Sequence, residues 1–480
     1  MKTFYIKTFG CQMNIYDGQR IEQMLQSRGL SRAESVADAD LIILNTCSVR
    51  EKATNKVFSE LGRIRDKKKP SALFGIVGCV ARESGSDAFR RIPELNFVLG
   101  PQSYHKLPEI LENPDAKLLN IDLSGLEKFD DIFPSLGGVA RSAGVGSEQN
   151  STLPVGFADT PPKEGNLAYI PIQEGCDHCC SYCIVPFTRG RELSRPFDDV
   201  MRDVRAAAAP ACAGVTGATE ICFLGQNVNG YRAPRECEVL NVKCEINNST
   251  LHISHFTLSD LIRATAIIKS VKRIRYTSSY PTEMTDELIA LHGSEPKLLP
   301  FLNLPIQSGS PNVLTRMNRP YSLELYLDII NKLRAVRPDI QISSDFIVGF
   351  PGETDEDFEM TCDVARKVKF INSYSFKYSP RPHTAAAIMP EQIPENIKRQ
   401  RLKILDEILT ANTLKFNVEC IDKEMMCLCE GPDKTGKNLI FRTPYMQQVI
   451  VPSVGEYDSP LQNIKITDAN KCSLRGKIIN

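Results

Sequence analysis

The 480-residue sequence has no surplus of charge of either sign, no tryptophan and no long apolar run. Its 58 basic residues are balanced by 58 acidic ones, so nothing global draws the chain to a nucleic acid or an anionic membrane, and any such affinity has to be local. No stretch reaches the ~18 consecutive apolar residues of a membrane-spanning helix. The opening MKTFYIKTFGCQMN enters directly into a strand-like pattern. It has neither the apolar core of a secretion signal nor an Arg- and Ser-rich transit helix, and a cytoplasmic location is expected. With 42% hydrophobic and 24% charged residues, wholesale disorder and collagen-like structure are excluded. The length suggests about three or four domains.

Cysteine is what the chain does have, 16 of them. In a reducing compartment these are expected to be free thiols and metal ligands rather than disulfides. Cys11, Cys47 and Cys79 stand far apart, Cys176, Cys179, Cys180 and Cys183 crowd together, and nine more are scattered from Cys212 onward. The scattered ones read as small buried hydrophobes. The first three each close a short apolar run: FYIKTFGC, DLIILNTC and ALFGIVGC. Helical patterns lie between the runs, one with Val57, Leu61 and Ile64 at helical spacing. Alternating strands and helices predict a parallel sheet covered by helices, whose ligand-binding edge is at the carboxyl ends of the strands. Three cysteines in three equivalent loops would then converge, either as ligands of a metal cluster or as three core thiols that happen to be placed alike.

The segment from about Asn120 to Glu164 is rich in Gly, Ser, Pro and Ala and reads as a linker or surface excursion. Beyond it, the strand LAYIPIQ runs into GCDHCCSYC. Cys176, Cys180 and Cys183 form CxxxCxxC, three thiolates for one inorganic cluster with one iron left open. Four-cysteine sites fill every position; an open iron leaves room for a small chelating molecule such as S-adenosylmethionine. A structural zinc site with His178 or a distant residue as fourth ligand is the alternative, and Cys179 offers a competing CxxC start. Further strand-like runs, EICFLGQNV, KRIRYTSS, PFLNLPIQSG, DIQISSDFIVGF and NSYSFKYSPR, alternate with helical ones. Together they predict about six β/α units of a partial barrel, with polar and Gly-rich tips (Gly225–Asn227, Gln307–Gly309, Gly349–Glu353) at its functional end.

GCDHCCSYCIVPFTRGRELSR, KTFGCQMN, ILNTCSVREKA, GIVGCVA, LGQNVNGY and SSDFIVGFPGETDEDF together resemble the radical-SAM methylthiotransferases. Gln-Met-Asn after Cys11 is most similar to the branch that methylthiolates dimethylallyladenosine in tRNA. The resemblance covers roughly residues 1–122 and 165–480. It implies a multidomain α/β protein: an N-terminal parallel α/β sheet domain for the auxiliary cluster (1–122), a linker (123–164), a partial (β/α) radical-SAM barrel with an insertion near 232–257 (165–415), and a C-terminal small β-barrel of the TRAM type (416–480). It also implies two 4Fe–4S clusters, one on Cys176, Cys180 and Cys183 and an auxiliary one on Cys11, Cys47 and Cys79. S-adenosylmethionine is implied near Gln226, Gly349 and Glu353. In the implied chemistry one S-adenosylmethionine methylates a sulfur at the auxiliary cluster. A second yields a 5′-deoxyadenosyl radical that takes hydrogen from carbon 2 of the isopentenylated adenine beside the anticodon, at position 37. Implied partners are a tRNA carrying dimethylallyladenosine and a flavodoxin- or ferredoxin-like electron donor; no membrane is expected, and a monomer is. A methylthiotransferase for ribosomal protein or for threonylcarbamoyl-adenosine tRNA, or a non-catalytic Fe–S RNA-binding protein, are the competing readings.

For RNA contact the sequence offers Arg189, Arg191 and Arg195, Lys398–Arg401, the run Arg63 to Lys69, and Phe441 and Tyr445 as base platforms. Each has a solvated-face or core alternative. Residues 416–480 carry eight basic and eight acidic side chains, so composition there does not itself favour RNA. Two stretches depart from the family: AAAAPACAGVTGATE is longer than usual, and RAPRECEVLNVKCEINNSTLHISHF, with Cys237 and Cys244, is additional.

Overall fold

The computed structural model of the protein describes residues 1–48, 51–123, 128, 166–209, 217–234, 255–453 and 459–479. The three apolar runs that end on a cysteine are the strands Thr3–Thr8, Leu41–Thr46 and Leu73–Gly78. All six residues of each of the latter two are buried, as expected of parallel strands covered on both faces. They form the middle of an all-parallel sheet in the order Ser31–Arg32, Thr3–Thr8, Leu41–Thr46, Leu73–Gly78, Phe97–Leu99, Leu118–Asn120. One face packs Ile42, Leu44, Phe74 and Ile76 against Val57, Leu61 and Ile64 of the helix Glu51–Lys67. The other packs Phe4, Ile43 and Val77 against Ile21 and Leu25 of the helix Gln12–Ser27.

The next six strand positions form an open arc. Leu167–Pro171, Glu220–Leu224 and Arg273–Tyr276 pair in parallel. A parallel bridge from Ile274 to Leu298 leads toward Phe301–Asn303, which pairs with Gln341–Ser343. That strand continues as Asp345–Val348, paired with Tyr374–Lys377. Among the described residues no ladder joins Tyr374–Lys377 back to Leu167–Pro171, so this is the partial barrel that the alternating pattern predicts. A single apolar core, running from Ile170 through Phe223, Leu302 and Phe346 to Leu409, joins these strands to the helices around them. The two ends of the additional polar stretch meet as an antiparallel ribbon, Arg232–Pro234 with His255–Thr257; Cys237, Cys244 and residues 210–216 of the other departure lie outside the described residues.

The helix Glu395–Glu419 runs through the expected junction at 415/416. Five strands, Glu424–Pro432, Asn438–Arg442, Gln448–Pro452, Leu461–Ala469 and Leu474–Ile478, then close into a barrel. Closure leaves no free sheet edge in this small unit. A cleft of about 780 Å³ separates it from the partial barrel, lined by Thr219, Lys272, Leu299 and Arg337 on one side and Met426 and Tyr445 on the other. It lies at the amino ends of the barrel strands, away from every cysteine loop considered below. No described helix is long and apolar enough to cross a membrane.

Candidate metal centres and the junction between them

Because Thr3–Thr8, Leu41–Thr46 and Leu73–Gly78 are adjacent and parallel, their carboxyl ends deliver Cys11, Cys47 and Cys79 to one edge. Cys11 caps the helix Gln12–Ser27 and Cys79 is the first residue of the helix Cys79–Ser84, so two of the three sulfurs stand at helix amino termini, where negative charge is favoured. Gly10, at φ +121°, lets the first loop approach the second: a Cβ there would lie 2.2 Å from Cys47 Cβ. Asn14 ties the loops together, its Nδ2 donating to Thr46 O at 2.8 Å while its Oδ1 lies 3.4 Å from Cys11 Sγ. A hydrogen bond with Cys47 and the nearby charge of Arg189 lower the Cys11 thiol to about 6 against the opposing effect of burial. Burial raises Cys79, and Arg189 opposes that by charge and by hydrogen bond.

The second group follows the strand Leu167–Pro171 within one loop. Gly175, at φ +74°, turns the chain into it; a Cβ would lie 1.9 Å from Arg191 O. Cys176 and Cys183 are each raised to about 12, first by burial and then by neighbouring cysteines of the set Cys176, Cys180 and Cys183. Three half-buried thiols gathered in one loop fit a shared cationic cluster, since coordination to a metal deprotonates a thiol outright. The sulfurs also receive N–H donors: Val185 N stands 3.4 Å from Cys183 Sγ, and Arg319 Nη1 stands 3.6 Å from Cys180 Sγ. Cys179 is exposed, its Sγ directed at Asp177 O at 3.6 Å. Among the described residues no three His, Cys, Asp or Glu side chains form a site for a single metal ion; one tetrahedral zinc, with Zn–S of about 2.3 Å, draws its sulfurs closer together than a cuboidal cluster does. His178 is engaged elsewhere, 3.1 Å from Glu283 Oε1 and stacked on Tyr280 at 3.6 Å.

Around this loop Gln226 Oε1 accepts from Gly175 N at 2.7 Å, so Gln226 borders the residue before Cys176. Gly349 N donates to Glu353 Oε1 at 2.8 Å, and the same carboxylate is gripped by Arg401 at 2.7 Å; Glu353 is 4% exposed and pins its own turn. Sequence reasoning missed Arg319, whose guanidinium lies 4.6 Å from the Tyr280 ring as well as beside Cys180. No local signal marks it: MNRPYS reads as an ordinary turn.

Several RNA candidates are overturned. Arg189 and Arg195 are each 3% exposed, the latter held by Asp203 and Pro171 O. Lys398 and Arg401 are buried, with Lys398 Nζ on Tyr378 O at 3.1 Å. Phe441 lies in the core of the closed barrel. Tyr445 is not overturned: it is half-buried, with its hydroxyl donating to Asp339 at 3.1 Å. Arg191, Arg63, Arg65, Lys67 and Arg399 remain exposed.

The junction between the two cysteine groups is charged and buried. Arg189 Nη1 meets Glu174 at 2.7 Å and Nη2 meets Asp17 at 3.1 Å. Lys128 Nζ meets the same carboxylates at 2.7 and 3.4 Å, and its side chain is 0% exposed. Lys128 belongs to the stretch read as a linker, yet it is a buried member of a two-cation, two-anion knot. Removing one partner of such a set leaves an uncompensated buried charge and costs about 3–5 kcal/mol. Lys128→Met is therefore expected to lower the denaturant midpoint by that much stability; an unchanged midpoint would show the knot to be dispensable.

Residues 3–100 match the uncharacterized protein family UPF0004, and residues 170–365 match the radical SAM superfamily. The chain is 42% identical over 489 residues to the tRNA-2-methylthio-N(6)-dimethylallyladenosine synthase of Rickettsia conorii, covering 100% of both chains. It is equally similar to the protein of the same name from Rickettsia felis, with the same coverage. Among solved structures it is similar to the cobalamin-dependent S-adenosylmethionine radical enzyme OxsB, at TM-score 0.46 and 11% identity over 85% of this chain and 56% of that one. With full-length identity at this level and cysteines gathered at two loop systems, the chain belongs to the tRNA-2-methylthio-N(6)-dimethylallyladenosine synthase family of radical SAM proteins.

Proposed function

We propose that the protein adds a methylthio group to carbon 2 of N(6)-dimethylallyladenosine at position 37 of tRNA. The observation that supports this most is the pairing of full-length family membership with two cysteine triads that meet across one buried junction. Cys176, Cys180 and Cys183 would hold the radical-SAM 4Fe–4S cluster, and Cys11, Cys47 and Cys79 the auxiliary one. When bound, these clusters supply the electron that cleaves S-adenosylmethionine and the site from which sulfur is delivered. The protein's own residues orient and insulate. Arg319 and the Val185 N–H donate toward sulfurs of the first triad, Asn14 holds the Cys11 and Cys47 loops together, and Met13 and Tyr16 of the first unit pack on Tyr169 and Leu224 of the second, keeping water out of the junction.

The domain reading that goes with this function is an auxiliary-cluster unit (1–122), a radical-SAM core (165–415) and a TRAM-type barrel (416–480), working as a monomer in the cytoplasm with a flavodoxin- or ferredoxin-like reductant. Arg191, Arg399, Tyr445 and the exposed cations of the Arg63–Lys69 run are the RNA contacts left after the buried ones are removed.

The substrate's isopentenyl group offers recognition by burial. At about 0.8 kcal/mol per CH₂, five carbons supply up to roughly 4 kcal/mol, on the order of a thousandfold in kcat/KM. Anaerobically reconstituted protein, S-adenosylmethionine and a reductant should methylthiolate isopentenylated tRNA, read by nucleoside mass spectrometry, and leave tRNA with unmodified adenosine nearly untouched. Equal turnover of the two tRNAs would overturn the specificity.

A further inference from the structure

We propose that Arg189, a residue of the radical-SAM unit, is a positioning residue for the auxiliary cluster, setting its reduction potential from across the junction. The helix Val185–Arg189 starts two residues after Cys183 and packs against the helix Cys79–Ser84. One short helix therefore begins at one triad and ends at the other. The Arg189 guanidinium is buried, and its Nη2 lies 3.4 Å from Asn14 Oδ1, the same atom that lies 3.4 Å from Cys11 Sγ. Its carbonyl is held by Gln102 Nε2 at 2.9 Å, and its two amino groups by Glu174 and Asp17. Its reach to Cys79 by hydrogen bond and charge agrees with this placement.

An arginine is protonated at every accessible pH, and its planar fork can serve several acceptors at once. A fixed cation and an N–H donor beside cluster sulfurs favour the more negative, reduced state of the cluster, and so raise its potential. Asp17 and Glu174 balance Arg189 and Lys128 in number, and Asp17 acts on Cys11 and Cys79 in the opposite sense. Arg189 is the stronger of the two at both thiols, and its guanidinium touches the Cys11 loop through Asn14, so its field is only partly offset.

The inference rests on the two-cluster reading, and its test separates the two. Full-length protein carrying Cys176→Ala, Cys180→Ala and Cys183→Ala, reconstituted anaerobically, should hold the auxiliary cluster alone. Its midpoint potential is measured by electron paramagnetic resonance at poised potentials, with bound iron counted in parallel. Two changes are compared with this parent: Arg189→Lys, which keeps the charge, and Arg189→Gln with Asp17→Asn, which removes one buried charge of each sign and leaves Lys128 opposite Glu174. The expected result is retained iron in all three, a midpoint near the parent for the lysine variant and a clearly more negative one for the double variant. Loss of iron in the double variant alone would overturn the inference in favour of a role in holding the cluster. Identical midpoints in all three would overturn it, as would loss of iron in both variants, which would make Arg189 a structural tie. A parent without iron would overturn the two-cluster reading and this inference together.

Discussion

Replacing Cys176, Cys180 and Cys183 together by Ala is expected to halve the iron of the reconstituted protein and abolish cleavage of S-adenosylmethionine. Replacing Cys11, Cys47 and Cys79 together should also halve the iron, yet leave cleavage measurable while methylthiolation of tRNA disappears. The asymmetry follows from the architecture. The two sets rise from different sheets, so removing one leaves the scaffold of the other intact. Each chemical step then depends on the set that serves it. Iron quantitation, 5′-deoxyadenosine release and nucleoside mass spectrometry read the three outcomes separately. Unchanged iron in either triple variant would refute the assignment of two sites.

The second large effect separates two neighbours in sequence. Cys180→Ser should lose the radical-SAM cluster and the activity, whereas Cys179→Ser should keep both. Adjacent residues in a loop present their side chains in different directions, and here the difference is visible. Cys180 packs among Tyr280, Leu314 and Tyr321 and faces Arg319. Cys179 is exposed, its Sγ turned to the Asp177 carbonyl and its own carbonyl held by Asn318 Nδ2 at 2.8 Å. A cluster lost from the Cys179 variant and kept by the Cys180 variant would reverse the register.

The sheet and the partial barrel were legible because local pattern and tertiary position agree in them. FYIKTFGC, DLIILNTC and ALFGIVGC each have enough β-branched or aromatic content to read as strands, and their alternation with helical patterns then gives a parallel sheet. The charged residues were not legible in the same way. Arg189, Arg195 and Arg401 look like an RNA-facing series along the chain, but each is neutralised by a carboxylate or carbonyl that only the fold brings near: Asp17 and Glu174, Asp203 and Pro171, Glu353. Burial of a charge is decided by such distant partners. Lys128 was hidden for the opposite reason, since its surroundings in sequence have the texture of a linker and nothing nearby names its two acidic partners. Phe441 alternates correctly for a strand, but the face it occupies is set by closure of the barrel.

The two triads also differ in how much chain they enclose, and this bears on how the protein matures. Cys176, Cys180 and Cys183 sit in one loop, so a chelate there closes only short stretches of backbone, and that loop can grasp iron before its surroundings are finished. Cys11, Cys47 and Cys79 are brought together only after three strands have paired, and a chelate across them must close long segments whose entropy the unfolded chain would otherwise keep. Metal insertion at the auxiliary site is thereby a reporter of the completed sheet. In a chain caught half-assembled, during synthesis or under mild denaturant, the auxiliary site is the one that has no vessel to fill.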